Sequence, residues 1–152
     1  MRRSMDEEFD LPQSDSQTCG RPDCICALPI GERFILWALR QWQCELIDWR
    51  DDRALPPEGS ALMDVLLFGA RRALAIHAPS CSCMSGDEAT VIALCSQAQG
   101  DRDGLLLASL DAMMLPAAAG AAALRFKLFA IALKEAGLHL PPPKSGAVGR
   151  LN

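Results

Sequence analysis

Apolar residues recur at helical spacing along most of the chain. Between residues 29 and about 52 they fall on one helical face, and charged residues including Arg40 fall on the others. Pro56 and Pro57 cannot continue that helix, and Pro57 can open a second run of the same spacing that extends to about residue 78 and is ended by Pro79. The apolar stripes predicted for these two helices are Ile35, Leu39, Trp42, Leu46 and Trp49, then Leu62, Val65, Leu66, Gly69, Ala73 and Ile76.

Three more helices are predicted in the second half of the chain. Ser85 to Glu88 matches a capping box, in which a serine hydroxyl and a glutamate carboxylate satisfy the first amides of a helix, here from about 87 to 99. Gly100 ends that helix, and Asp101 or Asp103 can cap a fourth that runs through 115. Pro116 opens a fifth to 136, which Gly137 terminates. The buried face predicted for the fifth comprises Ala122, Phe126, Phe129, Leu133 and Ala136.

Composition supports an all-α class. The chain is 152 residues long, rich in alanine and leucine, with 5% aromatic residues and no tyrosine, so it lacks the residue types that favour strands. We predict a compact bundle of about five helices over residues 28–140. Residues 1–27 are expected to form a flexible acidic arm that contains cysteines, and residues 141–152 a loose tail rich in proline and glycine.

The net charge and the apolar segments restrict the partners and the location that we expect. The net charge of -4 provides no field that would attract phosphates, so neither nucleic acid nor an anionic membrane is expected as a partner. No apolar stretch near the N-terminus is long enough for a secretory signal, and the apolar run 115–133 is interrupted by Arg125 and Lys127. We therefore predict a cytoplasmic protein, and we expect no disulfide framework among its seven cysteines.

Two Cys-x-Cys pairs are the main candidate site. Cys24 and Cys26 lie in the arm, and Cys81 and Cys83 lie in the loop before the capped helix. In an extended segment residues two apart point the same way, so each pair can offer two sulfurs to one ion. Zinc is the natural occupant of four cytosolic thiolates, and it would fasten the arm to the bundle. Cys19 is close enough in sequence to replace either arm ligand.

His77 provides an alternative ligand set. With Cys81 and Cys83 it forms H-x-x-x-C-x-C, similar to the zinc-binding anti-sigma factor pattern H-x-x-x-C-x-x-C but one residue shorter. The non-ligand interpretation places His77 at the C-terminus of the second helix, where a cation is favoured by the helix dipole. A third hypothesis is redox chemistry at Cys81 and Cys83, because the helix start at Ser85 favours a nearby thiolate.

The remaining features predict packing or surface contacts. Cys44 and Cys95 lie among apolar helix residues, and we expect both to be packed in the core. The same is expected of the aromatic residues on the first helix, Phe34, Trp37, Trp42 and Trp49. A basic patch of Arg71, Arg72, Arg125 and Lys127 could contact an acidic segment or could simply be solvated.

No catalytic constellation is recognisable in the sequence, because the two histidines and the carboxylates follow no known catalytic motif. We therefore expect a non-enzymatic interaction or regulatory module. Apolar residues lie on more than one face of several helices, which predicts contact with another protein or self-association through an apolar helix face. A bundle with no ligand site, acting only as such a subunit, is the remaining hypothesis.

Residues 32–140 also resemble a known kind of family. Arg40 on the first helix, a Cys-x-Cys loop followed by [ST]-x-x-E at residues 81–88, and a last helix ending in A-G-x-x-L-P at 136–141 resemble a small uncharacterised bacterial helical family, a domain of unknown function. The resemblance implies an all-helical fold and draws attention to the loop cysteines. It implies no activity or ligand, and the arm cysteines lie outside the resembling region.

Overall fold

A computed structural model describes residues 24–44 and 57–142 of the chain. These residues form five α-helices and one short 3-10 helix, and the only β pairing among them is two isolated bridges. The helices are α1 (Ile30–Gln43), α2 (Pro57–Gly69), α3 (Gly86–Gln99), α4 (Asp103–Met113) and α5 (Pro116–Glu135), with the 3-10 turn at Ile25–Ala27. The prediction of an all-α bundle is confirmed.

The longest helix, α5, organises the core. It packs against α2, α3 and α4, while α3 also contacts α4 and α1. Phe126 and Phe129 of α5 are completely buried, and Leu133 nearly so, as their helical spacing predicted. Ala136 is exposed, because α5 ends at Glu135 and the chain turns away there. Within the described residues, α5 alone is long and apolar enough to cross a membrane, by length and composition.

The sequence predicted the ends of α3 and α5 but not the start of α4. Gly137 has a φ of 79°, and the Leu138 amide bonds to the Leu133 carbonyl, which is the glycine-terminated end predicted for α5. The third helix ends at Gln99 with Gly100 as its C-cap, as predicted, and Asp101 follows in the left-handed region with a φ of 54°. The predicted aspartate cap of α4 is wrong, since Arg102 occupies the N-cap and no side chain caps that helix.

The second helix is shorter than predicted. It ends at Gly69 rather than near residue 78, because the following backbone pairs with the linker between α4 and α5. The Leu115 amide donates to the Gly69 carbonyl at 2.7 Å, and the Arg71 amide donates to the Met113 carbonyl at 3.0 Å. A Cβ at Gly69 would lie 2.7 Å from atoms of Met114 and Ala118, so this close crossing needs a glycine.

Two residues at the first helix, Cys44 and Trp37, were expected in the core but are exposed. Cys44 is the C-cap of α1 and is exposed, so the expectation that it packs in the core is wrong. Among the aromatic residues, Phe34 and Trp42 pack partly buried against the core, whereas Trp37 is exposed. Trp49, Leu46 and the predicted continuation of this helix lie outside the described residues.

The segment after α5 returns along the bundle and is fastened to α3. Gln99 donates to the Leu138 carbonyl at 2.9 Å and accepts from the Leu140 amide at 2.7 Å. Ser96 donates to the Pro141 carbonyl at 2.5 Å. The part of the predicted tail that the structure describes, Pro141 and Pro142, is therefore held at its start.

Several large apolar side chains remain on the surface. Three of them, Leu124, Leu128 and Ile131, are 37–56% exposed and lie along one outward face of α5. The others are Ile30, Trp37, Leu67, Phe68, Leu105, Leu107 and Leu115. These exposures agree with the sequence pattern, in which apolar residues occupy more than one side of several helices.

Candidate functional site

A buried ion pair lies beneath the Cys-x-Cys loop. Arg40 of α1 is 2% exposed and Glu88 of α3 is fully buried. The guanidinium Nε donates to Glu88 Oε1 at 2.8 Å, and Nη2 donates to Oε2 at 3.0 Å. This two-point geometry joins the two helices and neutralises both charges within the protein.

The same arginine holds the cysteine loop by its backbone. Nη1 of Arg40 donates to the Cys81 carbonyl, and Nη2 donates to the Cys83 carbonyl, both at 2.6 Å. Two carbonyls of the loop are thereby turned toward the bundle and satisfied by a charged donor. The position of the Cys-x-Cys loop is therefore fixed by Arg40.

Glu88 accepts further hydrogen bonds from backbone amides. Its Oε1 also accepts from the His77 amide at 3.0 Å, and its Oε2 accepts from the Ser85 amide at 2.8 Å. Burial alone would raise the pKa of the Glu88 carboxyl. The hydrogen bonds from Arg40, Ser85 and His77 outweigh burial and hold this pKa below its ordinary value. Glu88 is therefore an anion around which the loop is built.

The capping box predicted from the sequence is present. The Ser85 hydroxyl accepts from the Glu88 amide at 3.0 Å, while the Glu88 carboxylate accepts from the Ser85 amide. The same hydroxyl donates to the Ala75 carbonyl. Glu88 thus caps α3, binds Arg40 and accepts from the His77 amide in the preceding segment, so the helix start and the loop are joined by one side chain.

The arm meets this loop through its backbone. Cys24 is 6% exposed and lies opposite Cys83 in an isolated antiparallel bridge. Next to it, the Ile25 amide donates to the Ser82 carbonyl at 3.2 Å. Residues directly opposite in such a pair have Cβ atoms about 4.5–5.5 Å apart. The two Cys-x-Cys segments therefore lie side by side, although they are more than 50 residues apart in sequence.

Within the arm pair, the sulfurs approach each other closely. The Sγ atoms of Cys24 and Cys26 are 2.6 Å apart. Cys24 is buried and Cys26 is exposed. The segment is not extended as expected, because Ile25–Ala27 forms a 3-10 turn that brings the two side chains together.

Cys81 faces His77 in the loop. The Cys81 sulfur lies 3.6 Å from Nδ1 of His77, and the same nitrogen lies 3.0 Å from the Cys83 carbonyl. A carbonyl only accepts, so Nδ1 carries a proton, and in the neutral ring Nε2 then has the lone pair. The interpretation of His77 as a cation at the end of α2 is wrong, because that helix ends at Gly69.

The structure places the predicted zinc ligands near one another without closing them around one point. Within residues 24–44 and 57–142, no three side chains of His, Cys, Asp or Glu are arranged to hold a metal ion. Cys24 touches Cys26 and pairs by backbone with Cys83, while Cys81 faces His77. The additional candidate Cys19 lies outside the described residues.

The role of Arg40 was not predicted from the sequence. The helical pattern placed it on a polar face, yet it is buried. One indication was available: Arg40 follows Leu36 by four residues, so it lies on the same side of α1 as that buried side chain. A charged residue in this position requires a buried counter-charge, and no spacing rule identifies Glu88 as its partner.

Cys95 and two residues of the predicted basic patch are engaged in core packing or in ion pairs. Cys95 is completely buried as predicted, and burial raises the pKa of its thiol. In the predicted basic patch, Arg72 binds both carboxylate oxygens of Asp87, and Lys127 lies 2.6 Å from Asp103. Two of the four basic side chains therefore have acidic partners within the bundle.

Comparisons with models of protein families, with curated proteins and with solved structures gave no match to this chain. The resemblance to a bacterial helical family accordingly stays a prediction. The structure itself defines the class, an all-α bundle with a cysteine loop built on a buried arginine and glutamate.

Proposed function

We propose that this protein is a non-enzymatic interaction or regulatory module that binds zinc through Cys24, Cys26, Cys81 and Cys83. The observation that supports this most strongly is the backbone bridge between Cys24 and Cys83. It brings two pairs of potential thiolate ligands from distant parts of the chain to the same place. Thiolate donors in two pairs are typical of structural zinc sites.

The support beneath the loop is of the kind that a metal site needs. Ligands are oriented by hydrogen bonds from residues behind them, and loss of those residues weakens metal binding. Here Arg40 binds the carbonyls of both loop cysteines, and Glu88 fixes Arg40. Zinc would bind to a loop whose backbone is already ordered, so only side chains need to move.

Zinc binding requires two movements of cysteine side chains. Tetrahedral zinc with Zn–S bonds of about 2.3 Å places sulfurs roughly 3.8 Å apart. The Cys24 and Cys26 sulfurs must separate from 2.6 Å, and Cys81 must rotate away from His77. Both changes are side-chain rotations. His77 through Nε2, or Cys19, could replace one of the four thiolates.

The proposed role in protein interactions is supported by exposed apolar side chains on α5. Leu124, Leu128 and Ile131 form an exposed apolar stripe on α5, and such surfaces are typical of contacts with another protein or a second copy. We expect the zinc to hold the arm against the bundle, so that metal binding controls the position of the acidic N-terminal residues. The setting that we propose is the cytoplasm, where thiolates remain reduced.

Elemental analysis of the full chain, purified without chelator, tests the zinc proposal. We expect one zinc per chain in the wild type and in Cys44→Ser, which removes an exposed cysteine outside the site. The double variant Cys81→Ser with Cys83→Ser should lose the metal while retaining its helical circular dichroism. Metal-free wild type after zinc supplementation, or equal zinc in the double variant, would contradict the proposal.

A second candidate function is a thiol-based redox protein that uses Cys81 and Cys83. The observation that favours it is the distance of 3.6 Å between Cys81 Sγ and His77 Nδ1, since a hydrogen bond from a ring N–H to a sulfur favours its thiolate. This hypothesis predicts rapid alkylation of Cys81 by iodoacetamide at neutral pH, slowed in His77→Gln. Labelling of Cys81 no faster than that of exposed Cys44 would rule it out.

A further inference from the structure

A close pair of sulfurs lies in the arm, outside the loop for which redox chemistry was predicted. Cys24 and Cys26 have Sγ atoms 2.6 Å apart. A disulfide bond is about 2.03–2.05 Å long and joins residues whose Cα atoms are usually 4.4–6.8 Å apart. The 3-10 turn therefore holds these two side chains within a small rotation of bonding distance.

The two cysteines differ in their access to solvent. Cys26 is exposed, whereas Cys24 is 6% exposed and is fixed by its backbone bridge to Cys83. An oxidant from solution therefore reaches the Cys26 sulfur first. This division, an accessible attacking thiol next to a resolving thiol, is the arrangement that thiol oxidation sensors use.

We propose that Cys24 and Cys26 form a dithiol that a hydroperoxide oxidises to a disulfide, and that this oxidation releases the zinc. The release rests on the proposed zinc site, whereas the disulfide does not. The Cys26 thiolate attacks a peroxide oxygen, the O–O bond breaks, and the departing oxygen leaves as water, with Cys26 as the sulfenic acid. The Cys24 sulfur then attacks the Cys26 sulfur, the S–O bond breaks, and a second water leaves.

The atoms and electrons balance with hydrogen peroxide as the oxidant. Two thiols and one peroxide give one disulfide and two waters, and the two sulfurs supply the two electrons. The product removes two of four proposed ligands, leaving only Cys81 and Cys83. Loss of the metal would weaken the attachment of the arm to the loop, although the backbone bridge and the hydrogen bond from the Ile25 amide to the Ser82 carbonyl need not break.

Mass spectrometry of the metal-free full chain tests the dithiol. After one equivalent of hydrogen peroxide we expect a mass lower by two hydrogen atoms, with the link between Cys24 and Cys26. Cys44→Ser and Cys19→Ser should form it unchanged, and Cys26→Ser should lose it. A link that requires Cys19, or that joins Cys81 to Cys83 instead, would overturn the inference.

Zinc release from the zinc-loaded full chain tests the regulatory step. A chromogenic chelator should report zinc release after peroxide, and a thiol reductant with added zinc should restore the bound metal. If the chain binds no zinc, the proposed function fails, while the disulfide measurement still decides the dithiol. If zinc is bound but stays in place after Cys24 and Cys26 have been linked, the release mechanism is refuted.

Discussion

Replacing Glu88 by glutamine tests the support of the cysteine loop. The change keeps the size of the side chain and removes its charge, leaving Arg40 buried without a counter-ion. Each carboxylate oxygen accepts two N–H groups: Oε1 from Arg40 and His77, and Oε2 from Arg40 and Ser85. Whichever way the amide turns, its NH₂ group therefore faces two donors and cannot accept from either.

The expected loss of unfolding free energy follows from the burial of Arg40 and Glu88. Removing one partner of a buried ion pair costs about 3–5 kcal/mol, because the remaining charge is left uncompensated in the interior. The wild-type free energy of unfolding of a domain is about 5–15 kcal/mol, so Glu88→Gln should remove a large part of it. The exposed pair between Lys127 and Asp103 is the matched control. Asp103→Asn should cost less than about 1 kcal/mol, since solvent screens it.

Urea unfolding, followed by the helical band in circular dichroism, measures the free energy of unfolding of both variants. We expect a much lower midpoint for Glu88→Gln with an unchanged slope, and a midpoint near that of the wild type for Asp103→Asn. A loss below about 1 kcal/mol in Glu88→Gln would refute the reasoning that a buried charge pair supports the loop.

Three further predictions concern acid stability and two backbone positions. The pKa of Glu88 is lowered in the folded state, so its stabilisation is full above the unfolded pKa and is lost as pH falls through the folded pKa; the stability gap between wild type and Glu88→Gln should narrow below about pH 4, and a constant gap in pH-dependent urea titrations would contradict this. Gly69→Ala should destabilise by about 1–3 kcal/mol through its clash with Met114 and with Ala118 of α5, while Gly120→Ala, where a Cβ meets nothing within 4 Å, should be neutral or stabilising; equal urea midpoints for the two variants would contradict the close crossing. Asp101→Gly should raise the melting temperature, because glycine adopts the left-handed φ of 54° without strain worth about 1 kcal/mol, and a lower melting temperature would show that the aspartate side chain matters more.

The helices that the sequence predicted best are those with strong local signals. The capping box at Ser85 and the proline at the start of α5 both act within one turn, so local pattern was sufficient. The end of α2 was predicted too late because Gly69 pairs with Leu115, a contact between residues far apart in sequence. Such tertiary competition for backbone hydrogen bonds leaves no local pattern.

The candidate site was only partly predictable for the same reason. The two Cys-x-Cys pairs were recognisable from spacing, and their proximity was a hypothesis that the bridge between Cys24 and Cys83 supports. The 3-10 turn that brings Cys24 and Cys26 together was not foreseen, nor was the buried pair of Arg40 and Glu88. Both depend on where distant segments meet, and periodicity describes one segment at a time.

X-ray absorption at the zinc edge tests the central claim most directly. In the zinc-loaded full chain we predict a shell of four sulfurs at about 2.3 Å, with one sulfur lost in each single serine variant of Cys24, Cys26, Cys81 or Cys83 and none lost in Cys44→Ser. A shell of oxygen and nitrogen atoms, or a spectrum unchanged by those four substitutions, would contradict the account.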